Sequence, residues 1–278
     1  WFDDKTPFYC WNDGDAGSWH SAIKKAFDDF NLSGKNIAVS ESIRAVDLLD
    51  MNELFSGRFI KGNALLEEFR IIKSPEDIEK MQAAARLADE VMDEMTRFIR
   101  PGLLEKDIKT RIIELFAQKG ADSPSFTPIV ASGSISALPH YSKDSRMIED
   151  QDIVLLDFGC KYQGYCSDTS RTFFVGDVPP ELEQIYQIVQ QAQKAALDAI
   201  RLGARAHDID RAARGPIEDA GYGPNFLNRL GHGIGYDVHE APDIKSNSPV
   251  TLEKGMAFSI EPGIYLPGKY GVRIEDIV

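Results

Sequence analysis

Residues 153–175 read IVLLDFGCKYQGYCSDTSRTFFV. Two β-rich apolar runs flank the turn-like KYQG, so the stretch reads as a hairpin. Each arm carries an aspartate, Asp157 in LLDFG and Asp168 in SDTSRT. Opposed residues of an antiparallel pair have position numbers with a constant sum. Setting Asp157 against Asp168 puts the midpoint between Tyr162 and Gln163, inside the turn. Opposed residues share a face of the sheet with Cβ atoms about 5 Å apart. The same arithmetic works downstream. Glu261 in SIEPGIY and Glu275 in VRIEDIV share a midpoint at Gly268, in the middle of LPGKYG. Two hairpins therefore each offer a carboxylate pair on one face, which is destabilising unless a cation lies between the charges.

His232 in GHGIG completes a set of five. A single acidic residue on a strand is ordinarily solvated or salt-bridged, and a single histidine is ordinarily a satisfied core residue. Arg171 and Arg273 are close enough in sequence to serve as partners. All five together, in apolar or Gly-rich settings where an unpaired charge is costly, point instead to metal. Carboxylates with one imidazole form an oxygen-rich site for one or two divalent cations, the donor set of a metallohydrolase. Arg273, two positions before Glu275, shares its face in a regular strand and reads as a carboxylate orienter. GHGIG lacks the Rossmann spacing, so no nucleotide site is expected. His20 and His207 lie in helix-like stretches and read as structural or surface residues.

These motifs carry a specific resemblance. GHGIGYDVHEAP, GMAFSIEPGIY and GVRIEDIV, with ALPHYS upstream and DFGCKYQGYCSDTSRTF around both aspartates, resemble the catalytic segment of the Xaa-Pro peptidases. These are the aminopeptidase P and prolidase group of the methionine-aminopeptidase-like pita-bread metallopeptidases, and the match runs from about Ser74 to the end of the chain. The resemblance implies an α+β fold, a pita-bread (creatinase/aminopeptidase-like) catalytic domain over residues 70–278. A partial creatinase-like α/β N-terminal domain over residues 1–69 would precede it. It implies two divalent cations, Mn²⁺ first, with Co²⁺, Zn²⁺ and Fe²⁺ also compatible. Asp157, Asp168 and Glu275 would hold one ion, and Asp168, His232, Glu261 and Glu275 the other. His239 would stabilise the tetrahedral intermediate, and His140 would line the substrate site and assist it. Glu261 would also shuttle the proton from water to the leaving nitrogen. The family pattern further implies small peptide substrates, a homodimer, and shortened ends, since the chain begins at Trp1 and stops three residues after Glu275.

The expected function is that of a Xaa-Pro aminopeptidase, with a Xaa-Pro dipeptidase (prolidase) as the alternative. A dipeptidase must bind the free proline carboxylate. Where some compact prolidases carry an arginine just after HE-x-P, this chain has Asp243, leaving Arg229, Lys245 or a partner subunit to serve. A methionine aminopeptidase usually lacks the N-terminal segment. A non-catalytic peptide- or protein-binding member of the fold typically loses ligands, and all five are kept here.

The rest of the sequence sets bounds. A net charge of −13 argues against nucleic acid. There is no long apolar span or signal-peptide pattern, so no membrane is expected. Three cysteines suggest no disulfide framework, and the hairpin register puts Cys160 and Cys166 on opposite faces. Reduced thiols suit a cytoplasmic site; Cys10 carries no reading. IIKSPEDIEKMQAAARLADEVMDEMTRFIRPG predicts a helix capped by Ser74, with Pro75 at its first position and an end at Pro101-Gly102. Its apolar stripe runs through Ile78, Met81, Ala85, Ala88, Met92, Met95 and Ile99. Helices follow over 105–119, 180–202 and 207–220, and strands over 125–131, 153–158 and 165–175. Before residue 70, SWHSAIKKAFDDFNL reads as a helix, NIAVSES as a strand and SIRAVDLLDMN as a helix. The α-α-β-β-α-α-β order, with a carboxylate hairpin in each half, suggests two related halves around a shared sheet, although no sequence repeat demonstrates it.

Overall fold

The computed structural model describes residues 18–40 and 42–278, so Cys10 lies outside them. The chain divides into two units between Phe69 and Arg70.

The N-terminal unit runs α1 (Ser18–Asp29), β1 (Asn36–Val39), α2 (Ala45–Leu54), β2 (Arg58–Lys61) and α3 (Asn63–Arg70). β1 and β2 pair in parallel, with Ile37 opposite Phe59. Phe55 packs between Phe27 and Phe59, its ring centroid 4.8 and 5.3 Å from theirs. The first three elements match the sequence reading. β2 and α3 escaped it because RFIK is too short to show alternation and NALLEEFR spans barely two turns.

The second unit opens with α4 (Pro75–Phe98) and α5 (Glu105–Gln118). Ser74 Oγ accepts from Asp77 N and Asp77 Oδ2 accepts from Ser74 N, a reciprocal cap that starts α4 at the expected residue. Its buried stripe is Met81, Ala84, Ala88, Val91, Met92 and Met95, with Ile78 left exposed. Short strands follow: β3 (Ser123–Pro124), β4 (Ile129–Ser132), β5 (Ile153–Phe158), β6 (Cys160–Tyr162), β7 (Tyr165–Cys166) and β8 (Thr169–Phe174). The strand expected over 125–131 forms only from Ile129, just after Pro128, which has no N–H to donate to a ladder. Next come α6 (Pro180–Ala199) and α7 (Ala206–Asp219), then β9 (Gly231–Gly233), β10 (Glu240–Ile244), β11 (Ser259–Ile260), β12 (Gly263–Leu266), β13 (Tyr270–Arg273) and β14 (Asp276–Ile277). Among the described residues no helix is long and apolar enough to cross a membrane.

Both hairpins form, one with a corrected register. Asp157 opposes Ser170 rather than Asp168, a shift of two residues. The cause is the turn. Gln163 and Gly164 both have positive φ, 49° and 84°, and Tyr162 pairs with Tyr165 around them. This two-residue turn, of the kind whose twist matches the strands, is centred one residue beyond the expected point. A shift of two preserves which face each side chain occupies, so Asp157 and Asp168 still share one. The second hairpin has the expected register, with Gly263 opposite Arg273 and Ile260 opposite Asp276. Cys160 and Cys166 are free and buried; Cys160 Sγ donates to Ala84 O and Cys166 Sγ to Tyr236 O.

Two apolar cores flank the hairpins. Val154, Leu156 and Phe158 of β5 pack beneath α4 and α5. Ile260, Ile264 and Val272 pack with Ile185 and Val189 of α6 and Ala213 of α7. Backbone bonds expose the repeat that the residues hide. Gly102 N donates to Ile148 O, Ile148 N to Leu103 O and Glu105 N to Arg146 O. In the second half Gly203 N donates to Leu252 O, Leu252 N to Ala204 O and Ala206 N to Val250 O. Glycines at positive φ precede both second helices (Gly102, Gly203) and follow both (Gly120, Gly221). One bridge, Ser170 to Glu275, joins the halves.

Gly159 lies where β5 gives way to β6, and a Cβ there would overlap the Ser167 carbonyl. Gly159→Ala is expected to cost about 2 kcal/mol or more through overpacking against backbone. Gly164, in open space at positive φ, should cost about 1 kcal/mol on the same change. Urea denaturation of the two variants checks the ranking.

Candidate metal centre

β5, β8, β9 and the second hairpin end around one cavity of about 890 Å³. It is lined by Asp157, Asp168, His232, Glu261 and Glu275, with His140, His239, Arg229 and Arg273. The structure therefore brings together every residue that the sequence singled out for this site. His20 and His207 lie elsewhere: His20 Nε2 is 3.6 Å from Asp50 in the N-terminal unit, and His207 Nδ1 is 3.2 Å from Ser248 O.

Donor atoms of Asp168, His232 and Glu275 lie within 4.8 Å of one another. Glu261 Oε1 is 3.3 Å and Asp168 Oδ2 3.6 Å from His232 Nε2. Asp157 and Glu261 lie outside this closest group, and Asp157 Oδ2 accepts from Arg273 Nη2 at 2.6 Å. Arg273 is almost wholly buried, and it also donates to Ser170 Oγ, Tyr265 Oη and the Pro139 carbonyl. Its reading as a carboxylate orienter agrees with this geometry. Two serines escaped the sequence reading. Ser170 Oγ donates to Glu275 Oε2 at 2.7 Å, and Ser259 Oγ donates to Glu261 Oε1 at 3.0 Å while accepting from His232 N. Their only signal was position: Ser170 is two residues from Asp168 and Ser259 two from Glu261, so each shares a face with an acid in a regular strand.

Electrostatics make the cavity hungry for cations. Burial pushes Asp168 and Glu275 well above the usual carboxylate range, and the neighbouring carboxylates push them further. Glu261 is raised to about 7, by burial first, with Asp157 adding and Arg273 opposing. Asp157 Oδ1 and Asp168 Oδ1 are buried with no protein hydrogen-bond partner. His232 is held near 4 by burial, hence neutral. Its Nδ1 lies 3.1 Å from the Gly233 carbonyl, which can only accept. The hydrogen therefore sits on Nδ1, and the Nε2 lone pair faces the carboxylates, the tautomer a metal ligand requires. His239 packs edge-on against His232 with ring centroids 4.3 Å apart. Partial burial, with Arg229 and His140 nearby, lowers its pKa. Orphaned carboxylate oxygens, a neutral imidazole lone pair and four largely buried acids in one cavity fit divalent cations.

Comparison with known proteins agrees. The model of metallopeptidase family M24 matches residues 79–278. A putative dipeptidase, YkvY, of Bacillus subtilis (strain 168) is 38% identical over 258 residues, covering 92% of this chain and 71% of that protein. A Xaa-Pro dipeptidase of Lactobacillus helveticus is 42% identical over 215 residues, covering 77% of this chain and 58% of that protein. The chain thus spans less than two thirds of the Lactobacillus enzyme. The solved structure of a dipeptidase from Pyrococcus horikoshii OT3 superposes with a TM-score of 0.93 at 38% identity, covering 99% of this chain and 76% of that one.

Without cations, protons are the counter-charge, and stability should follow pH accordingly. Glu261 titrates near 4.5 when unfolded and about 7 when folded. The native state therefore binds the extra proton, and that stabilisation is lost as pH rises through about 7. Asp168 and Glu275 act in the same direction. His232, lowered from 6.5 to about 4, acts oppositely, but its contribution is complete once pH passes 6.5. The metal-free thermal midpoint should fall between about pH 6.5 and about pH 8, and a saturating divalent cation should remove that fall. Calorimetry with and without chelator checks it.

Proposed function

We propose that this chain, which belongs to metallopeptidase family M24, hydrolyses the Xaa-Pro bond of dipeptides with the aid of two divalent cations. The observation that supports this most is the convergence of Asp157, Asp168, His232, Glu261 and Glu275 on one cavity. In this reading Asp157, Asp168 and Glu275 hold one cation, while Asp168, His232, Glu261 and Glu275 hold the other. The sequence alone favoured longer Xaa-Pro substrates. The dipeptidase names of the relatives turn that preference around. Asp243, where an arginine would suit a dipeptidase, favours the aminopeptidase reading.

When bound, the cations lower the pKa of a water and polarise the scissile carbonyl. Glu261 accepts a proton from that water and returns it to the proline nitrogen, which cannot leave as an anion. His239, neutral at physiological pH because its pKa is lowered, donates an N–H to the oxygen on which charge develops. His140 lines the same cavity and assists there. Arg229 supplies the cation for the free proline carboxylate; Asp243 Oδ1, 3.2 Å from its Nη1, holds the guanidinium at the cavity wall.

The proposal extends to Mn²⁺, which an oxygen-rich set with one imidazole suits. It extends also to a homodimer, to a cytoplasmic setting in keeping with free buried thiols, and to the N-terminal unit as a partial creatinase-like domain.

The full chain loaded with Mn²⁺ should cleave a Xaa-Pro dipeptide, and a chelator-treated control should not. Release from a Xaa-Pro-Xaa tripeptide alone would move the assignment to aminopeptidase P; silence on both with metal bound would sink it. Asp168→Ala should abolish activity and metal binding together, read by turnover and elemental analysis. His239→Ala should lower kcat by about a hundredfold with metal content retained. Arg229→Ala should raise the dipeptide KM about tenfold or more and leave the tripeptide KM unchanged.

A further inference from the structure

Glu105 is a carboxylate with no exposure to solvent, outside the cavity and at the first position of α5. Such a group is tolerated only when its acceptor sites are filled, and here four donors fill them. Oε1 accepts from Ser132 N at 2.9 Å and Ser132 Oγ at 2.8 Å. Oε2 accepts from Tyr141 Oη and Arg146 N, both at 3.0 Å. Ser132 ends β4, whose Ile129 pairs with Asp157. Tyr141 and Arg146 belong to residues 138–146, the segment that presents His140 to the cavity.

The internal repeat separates folding from function at this position. By the matched backbone bonds, the counterpart of Glu105 is Ala206, also fully buried. The second half thus builds the same helix start, on the same bonds, without a carboxylate. What the first half has in addition is the run 133–145 between β4 and Arg146, where the second has only 245–249 between β10 and Val250; β4 packs on α5 as β10 packs on α7. Glu105 fills the space beneath that longer run. Arg273 also meets this segment, donating to the Pro139 carbonyl. His140 therefore sits between two anchored neighbours, Pro139 held by Arg273 and Tyr141 held by Glu105.

We propose that Glu105 is a positioning residue for His140, fixing through Tyr141 and Arg146 the segment that carries the imidazole into the substrate cavity. The proposal rests on the reading of His140 as a group that acts on substrate. A misplacement of about 1 Å in such a group is costly in turnover, whereas cation binding involves none of these bonds.

The test uses the full chain loaded with Mn²⁺ and the variants Glu105→Gln, Tyr141→Phe, His140→Ala and Glu105→Gln/His140→Ala. In either orientation Glu105→Gln turns an amide N–H₂ towards a backbone N–H, of Ser132 or of Arg146, which can only donate. It should lower kcat on a Xaa-Pro dipeptide about tenfold, with KM and metal content held within about twofold. Tyr141→Phe, which removes one hydroxyl, should lower kcat in the same way by a smaller factor and serves if Glu105→Gln does not fold. In the His140→Ala background, Glu105→Gln should have no further effect on kcat. Trypsin cleavage after the exposed Lys143 should be faster in both single variants at 105 and 141 than in the wild type. Additive effects of the 105 and 140 substitutions, or unchanged kcat and trypsin resistance in both single variants, would overturn the proposal. Should the wild type cleave no Xaa-Pro peptide, the functional reading fails separately, and the trypsin comparison then decides whether Glu105 anchors the segment.

Discussion

Four largely buried carboxylates share one cavity with a single fully buried guanidinium, and the burden of that unbalanced charge shapes the surrounding fold. Three of the acids carry a specific compensation: Arg273 for Asp157, Ser170 for Glu275, Ser259 for Glu261. These compensations are incomplete, as the two orphaned oxygens and the raised Asp168, Glu261 and Glu275 show. A polypeptide gains nothing in stability from such a cluster, since breaking or crowding buried charge is expensive. Its persistence in a well-packed interior is the physical signature of a centre completed by cations.

The scaffold supplies rigidity where that charge is gathered. Two helix pairs lie over two separate apolar cores, and each covers one hairpin. The bridge from Ser170 to Glu275 ties the hairpins together at the candidate ligands themselves. Close backbone approaches at Gly159 and Gly231, where a side chain would overlap the Ser167 and Ser259 carbonyls, let the strands draw in around the cavity. The buried polar groups outside the cavity continue this pattern. Asp210 grips Arg214, which reaches the Asn228 carbonyl beside Arg229, and Glu105 steadies the His140 segment. Ionised groups in the interior act here as fasteners for the cavity walls.

Much of this was legible from residue order because its causes are local. The Ser74–Asp77 cap, the helix ends at Gly120 and Gly221, and the apolar run of β5 depend on near neighbours. The second hairpin register followed from arithmetic because Gly268 sits at its true centre. The first was misjudged by two residues because φ > 0 at Gln163 and Gly164 moved the turn. The shared face survived because a side chain's face depends on parity alone. The repeat was less visible: Gly102 and Gly120 recur as Gly203 and Gly221 at the same spacing, but the buried residues around them differ, as Glu105 and Ala206 do.

Sequence by itself determined the candidate ligand set, the family motifs, most helices and the facing of each acid, since these rest on residue type and short-range periodicity. Tertiary structure alone decided the rest. It set which acid is held by which partner, the neutral tautomer of His232 and the pairing of Arg229 with Asp243. It also decided the role of Ser170, Ser259 and Glu105 as anchors. Each of these depends on atoms brought together from distant parts of the chain, and no periodicity within a single segment encodes such a meeting.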